Sequence, residues 1–551
     1  MKRLFLPLAL LLSSCEPRQP ADTVLLNGKV VTLDAAGTIA QAIAVREGRI
    51  LAVGTNEAVL EHASATTERI DLEGKTVVPG LADNHYHGIG GGPGVDLSRT
   101  RALQDVVDAI AARAKDTPEG EVVITNSDWH EGQLAEQRLP YRDDLDRATK
   151  LHPVVVVRGG HEYILNSPAL TKFGIAENAE SPSGGSVGRY PDGRLNGELV
   201  DTAKKFVTLP ARPDVSEGER RNALVDEYRR LNEAGLTSIR YAGVSPAFYH
   251  DVEELEKRGE LTLRVSALIR IADAAALDSL GIAPDSGDEW VRFVGIKLGV
   301  DGGFEGGLMR EPYLEPWGQK GTFHGLQTMP TETYVELVRV LNRRGFRVAT
   351  HAVGDAAIDL VLDAYEKANQ DRSITDKRFA IEHGFVPRED QFPRMKTLGL
   401  HVTAQDHLYL AAPSLVKYWG AERAKWVTPL RAYLDAGIPV SLGTDTPVVP
   451  YPPLWVLYHF VTRDTISAGV MGEDQKVSRE EALRAMTQGG AALTFEESSK
   501  GTLEKGKLAD LVVLDEDILT CAPERIRDMG IALTMVGGRV VFRHAPTKRG
   551  G

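Results

Sequence analysis

Cysteine is nearly absent from this chain, with Cys15 and Cys521 the only two among 551 residues. Cys15 sits where a lipid is expected to cap it, so Cys521 alone would remain as a free thiol, an ordinary packed residue. No intramolecular disulfide can then form, and a metal site built from thiolates is excluded. Positive charge is in deficit: 64 Lys and Arg face 77 Asp and Glu, a formal net charge of −13. That balance excludes a nucleic-acid binder, because nothing would neutralise a phosphate backbone. The mature part also lacks an internal repeat and an apolar run long enough to cross a bilayer. The remaining composition is that of a soluble globular protein, and the length suits a barrel with insertions plus a smaller module.

The first residues are set apart from the fold. Lys2 and Arg3 precede an apolar run from Leu4 to Leu12, and Leu12-Ser13-Ser14-Cys15 follows at once. That order resembles the lipobox of bacterial lipoproteins, which implies a signal peptide over 1–15, a lipid on Cys15 and a membrane-anchored protein of the bacterial cell envelope, facing away from the cytoplasm. Residues 16–22 read as a tether.

Short β-like runs broken by Asn27-Gly28 and Glu47-Gly48 turns fill residues 23–80, and the same texture returns at 498–545. Two distant chain ends of this kind pair into one small sheet domain, a composite β-sandwich, leaving residues 81–497 as an inserted unit. That unit alternates strand-like and helical patterns, as parallel α/β architecture requires. The helix from Glu217 to Ala234, closed by Gly235, is one example. Eight strands are expected, at Thr76–Leu81, Thr237–Arg240, Leu263–Leu268, Phe293–Lys297, Arg347–His351, Phe379–His383, His401–Gln405 and Pro439–Thr444. The fold class is therefore α/β, a (β/α)8 TIM-like barrel with the composite β-sandwich domain, and about 88–235 is an insertion between the first two strands.

The strand ends carry the chemistry. In His85-Tyr86-His87 a strand period of two projects both imidazoles from one face, so they can grip one ion. Later apolar runs deliver Lys297, His351, His383 and Asp445 at their C-terminal ends, the rim on which barrel enzymes place their sites. Imidazoles with a carboxylate suit zinc and similar divalent ions. Water bound to such an ion falls in pKa from about 15.7 towards ~7, and Asp445 can take its proton. Lys297 with an ordinary pKa near ~10.4 cannot ligate a cation, so it either pairs with Asp301 or substrate or is chemically modified.

These strand-end residues, with Gly160-His161-Glu162-Tyr163, Asp301-Gly302-Gly303, His351-Ala352-Val353-Gly354-Asp355 and Gly443-Thr444-Asp445-Thr446-Pro447, resemble the amidohydrolase superfamily and its family 3 branch of N-substituted formamide deformylase-like enzymes. The resemblance covers the chain after the tether. It implies one or two divalent metal ions held by His85, His87, Lys297, His351, His383 and Asp445, with Lys297 carboxylated where two ions are bridged. Substrate contacts are expected from His161, Tyr163, Arg310 and His407, with Trp129 beside Tyr163 in an apolar wall. One departure stands out: Arg240-Tyr241-Ala242 replaces the His-Asp-Ala common in relatives. It leaves a cation near the pocket, and Arg240 or Arg310 could fix a substrate carboxylate or simply form a salt bridge in the rim loops.

The expected activity is hydrolysis of a non-peptide carbon–nitrogen bond in a small-molecule amide, N-acyl, N-formyl or cyclic amide substrate. An ester or organophosphate hydrolase is the nearest alternative, because the same nucleophile attacks those electrophiles. A binding lipoprotein is the alternative of another class, but a scaffold without catalysis need not keep every ligand and Asp445. Metal identity, metal count and assembly, including a homo-oligomer, are open at this level.

Overall fold

The computed structural model describes residues 20–210, 215–271, 273–449 and 452–544. Cys15 and the leader lie outside the described residues. Ala21 and Asp22, expected in the tether, are already part of the fold: their amides donate to His62 O at 2.8 Å and Val45 O at 2.9 Å.

Eight parallel strands form the central sheet. They are β1 (Leu81–Tyr86), β2 (Leu236–Val244), β3 (Arg264–Arg270), β4 (Val291–Gly299), β5 (Val348–Ala352), β6 (Ala380–His383), β7 (His401–Gln405) and β8 (Val440–Gly443), each paired with the next. The sheet curls until β8 meets β1. Along that seam side chains do much of the pairing. Asp83 accepts from Thr444 N at 2.9 Å, Asn84 Nδ2 donates to Leu442 O at 2.7 Å, and Asp445 N donates to His85 O at 2.7 Å. Gly443 permits this approach, since a Cβ there would lie 2.5 Å from His85 N.

Connecting helices follow from local sequence. In Glu217–Glu233, Ser216 accepts from Glu219 N while the Glu219 carboxylate accepts from Ser216 N, a reciprocal cap. Leu224, Tyr228 and Leu231 bury one face, and Gly235 at φ 86° ends the helix.

The expected first barrel strand, Thr76–Leu81, is corrected by the structure. Thr76–Pro79 is a strand of the sandwich, antiparallel to Leu511–Leu514 and parallel to Lys29–Val31. Gly80 is the crossing point, because a Cβ there would lie 2.1 Å from Thr237 Oγ1, and the barrel strand begins only at Leu81. A continuous apolar run thus hides a change of sheet.

The sandwich consists of a four-stranded sheet from 23–71 and a six-stranded sheet that interleaves strands from both chain ends. Leu511 and Val513 point into its core with Val77 and Met535, whereas Val512 and Leu514 point into the barrel's core. A strand buried on both faces welds the two bodies, each such side chain contributing about 1.5–3 kcal/mol. Arg264 of β3 adds a buried bidentate pair with Asp510, at 2.6 and 3.0 Å, and Asp510 also accepts from Gly537 N at 2.8 Å.

Between β1 and β2, a separate five-stranded sheet runs in the order Gly185–Arg189, Leu195–Asp201, Glu162–Leu165, Val154–Arg158, Val123–Ile124. It forms one wall over the barrel mouth.

Asp510→Asn should uncover a buried Arg264 charge and cost about 3 kcal/mol. The urea unfolding midpoint measures it, and an unchanged midpoint would show that apolar burial alone joins sandwich to barrel.

Candidate active site

Alternation along the strands sets which side chains enter the barrel. Ala380 meets Leu268, Val294 and Ala349 at the base of the interior, so Glu382, two residues on, is interior as well. Its carboxylate is fully buried. Arg240 Nη2 donates to Glu382 Oε1 at 2.7 Å, Thr403 Oγ1 donates to Oε2 at 2.6 Å, and His85 Nδ1 makes a short contact to the same Oε2. Burial opposes ionisation of Glu382, yet Arg240 and His85 outweigh it and hold the carboxyl well below its ordinary range.

This contact selects the ligand atom of His85. With Nδ1 engaged by Glu382, Nε2 is left for the barrel mouth, 3.4 Å from Asp445 Oδ1. His87 Nε2 lies 3.2 Å from the same oxygen. Donors each about 2.1 Å from one tetrahedral ion sit roughly 3.4 Å apart, so the three atoms fit a divalent cation. Among the described residues these three form the group that could hold an ion.

His351 and His383 stand beside it. The ring of His383 lies 4.6 Å from that of His85 and 4.6 Å from that of His351. Strand alternation alone would turn His383 outwards, but its φ of 72° swings the ring to the mouth, and Asp445 has φ 61° just past β8. Left-handed backbone at such residues costs on the order of 1 kcal/mol or more each, which the surrounding hydrogen bonds offset. His383 Nδ1 faces Gln405 Oε1 at 2.7 Å and His351 Nε2 faces Gly302 O at 3.1 Å. Their other ring nitrogens carry no hydrogen bond among the described residues, and both rings line the cavity beside the His85, His87 and Asp445 group. Burial pushes His85 down to about 3 and lowers His87, His351 and His383, so all four imidazoles are in the neutral form a metal needs.

Lys297 is also here, Nζ 3.3 Å from His85 Nε2, and burial brings its ammonium down to about 8 against the pull of Glu382. It does not pair with Asp301, whose carboxylate instead clamps the amides of Leu308 at 2.9 Å, Val353 at 3.1 Å and Gly354 at 2.9 Å. Asp445 Oδ2 is 3.0 Å from buried His407 Nε2. Burial opposes a charge on Asp445, but His85, His407 and His87 hold it well below the usual carboxylate range.

A cavity of about 580 Å3 opens on these residues, with His161, Asp201, Arg270 and Met329 in its walls. His161 stacks on His351 at 5.3 Å and its Nδ1 is 2.6 Å from Asp201 Oδ1. On another side, sharing His351, His383 and Asp445, lies a narrow annexe of about 40 Å3 between Trp129, Phe304 and Phe385. Of the expected substrate contacts, His161, His407 and Trp129 line these spaces.

Two expectations are corrected. Arg310 lies away from the cavity, its guanidinium spent on Asp359 at 2.7 Å and Asp390 at 2.8 Å. Tyr163 faces Lys204, 5.1 Å from the ring centroid, and lines neither space. Arg240 is likewise consumed, by Glu382 and by Asn84 O at 2.9 Å. Glu382, Gln405 and Asp201 were not anticipated. Glu382 was detectable, since a charge at an interior strand position needs an interior partner.

The model of the Amidohydrolase family matches residues 68–542. The chain belongs to the amidohydrolase family. It is similar to the N-substituted formamide deformylase of Arthrobacter pascens, 29% identical over 96% of this chain and 99% of that one. It is also similar to the putative amidohydrolase YtcJ of Bacillus subtilis, 28% identical over 94% of this chain and 98% of that one. A solved metal-dependent hydrolase from Pyrococcus furiosus superposes with a TM-score of 0.65 at 26% identity, covering 90% of this chain and all of that one. This amidohydrolase is accordingly an enzyme, a metal-dependent hydrolase of carbon–nitrogen bonds.

Glu382→Gln keeps the shape of the carboxylate and removes its charge, stranding Arg240 and loosening the grip on His85. Metal affinity should fall about 10–100-fold and the melting temperature should drop. Competition with a chromogenic chelator measures the first, and unchanged affinity would remove Glu382 from the account of the site.

Proposed function

We propose that this amidohydrolase removes a small acyl group, formyl or acetyl, from the nitrogen of a small molecule, with zinc as its ion. The observation that carries the reading is the annexe: Trp129, Phe304 and Phe385 leave room beside Asp445 for one or two heavy-atom groups and little more. The similarity to a formamide deformylase supports the same acyl size.

His85, His87, His351, His383 and Asp445 would hold the ion, which supplies charge that polarises the scissile carbonyl and makes water acidic. Asp445 is the acid and base. Fixed and ionised by His407, it takes the proton of the attacking water and returns it to the departing nitrogen. His161, oriented by Asp201, offers its second ring nitrogen to the substrate in the cavity. The aromatic walls keep water from the acyl side. Lys297 would set how many ions are held: as an ammonium it is no ligand, whereas as a carbamate it would supply further oxygen donors.

Asp445→Asn should leave the chain folded while turnover of an N-substituted formamide falls at least about 100-fold, since an amide cannot carry that proton. Circular dichroism, bound zinc and initial rates together check it, and near-wild-type turnover would dismiss Asp445 as the acid and base.

The reading includes a place in the bacterial cell envelope, through a lipid on Cys15. Cys15→Ser should move the protein from the membrane fraction to the soluble fraction of lysed cells. Finding the wild-type chain wholly soluble in the cytoplasm would overturn the anchor.

A further inference from the structure

Every acid in the cavity wall is occupied: Asp445 by His407 and His87, Asp201 by His161, and Asp301 by three backbone amides. Arg270 is not. It ends β3, and Leu268, two residues earlier, lies in the barrel interior, so alternation aims Arg270 at the cavity it lines. Among the described residues it has neither a salt bridge nor a hydrogen bond.

Its position is built rather than incidental. Gly243, at φ 117° near the end of β2, bares the backbone beneath the arginine; a Cβ there would lie 2.5 Å from Arg270 Nε and 2.9 Å from its Cγ. In the pairing of β3 with β4, Arg270 stands opposite Lys297. Asp445 attracts Arg270 across the cavity without forming an ion pair with it. The annexe, lined by Phe304 and Phe385, lacks Arg270, and the wide cavity holding Arg270 lacks those rings. The two spaces share His351, His383 and Asp445, so a substrate with its acyl group in the annexe extends its amine portion towards Arg270.

We propose that Arg270 is a specificity residue that binds a carboxylate on the amine side of the scissile bond, so that the substrates are N-formyl or N-acetyl derivatives of small amino acids. The inference rests on the small-acyl reading for its orientation. A guanidinium suits the role because it presents paired N–H donors to a planar carboxylate and keeps its charge at any physiological pH.

The test uses zinc-loaded full-length protein and matched probes: N-formylglycine, N-formyl-β-alanine and N-formyl-γ-aminobutyrate against N-ethyl-, N-propyl- and N-butylformamide. Calorimetry reads binding and formate release reads turnover. At least one carboxylate probe should bind about tenfold or more tightly than its neutral partner. Arg270→Met should erase that preference while leaving zinc content and neutral-probe binding unchanged, and Arg270→Lys should restore part of it. Wild type without a preference overturns the proposal. So does Arg270→Met weakening both probes equally with loss of zinc, which would assign Arg270 to holding a carboxylated Lys297. Arg270-dependent binding without formate release would leave the subsite standing and refute the small-acyl hydrolase.

Discussion

The buried carboxylate of Glu382 is the contact on which the remainder of the site depends. A charge inside a barrel loses its hydration and must be paired at once. Arg240 supplies the counter-charge from β2, and His85 and Thr403 take the second oxygen. The pairing adds little net stability for the desolvation it costs; what it contributes is geometry. It decides which nitrogen of His85 faces the mouth, and Asp445 and His87 are ordered around that nitrogen. Arg240 also grips Asn84 O, so the same charge cluster braces the strand that carries the paired histidines.

The rest of the fold keeps that strand still. Asp83 and Asn84, the two residues before His85 on β1, close the barrel against β8 by side-chain hydrogen bonds. Immediately before β1, Gly80 hands the chain over from the sandwich, whose strand Leu511–Leu514 is buried on both faces. The sandwich therefore acts as a fixed mount for the first barrel strand. The insertion adds what a barrel alone lacks, a wall over the mouth bearing Trp129, His161 and Asp201.

Much of this was legible without coordinates, because strand alternation and strand ends are local properties. His85 and His87 share a face by a period of two, and Lys297, His351, His383 and Asp445 each close an apolar run; all six meet at one mouth. The errors have physical causes. Thr76–Leu81 reads as one strand because both sheets it serves are apolar, and only the contact at Gly80 divides it. Arg310 was a plausible anion binder by residue type, but Asp359 and Asp390, distant in sequence, neutralise it.

The sequence by itself determined the α/β class, the pairing of chain ends and the strand-end donors, since these follow from periodicity and from residue chemistry within a few positions. Which donor atoms face inwards, and which arginine faces the cavity, only the tertiary structure decided. His383 points correctly through one left-handed φ, His85 through a carboxylate almost three hundred residues away, and Arg270 through a bare glycine on the neighbouring strand. Each depends on contacts made only after the barrel closes, because charge pairing and steric clearance act through space.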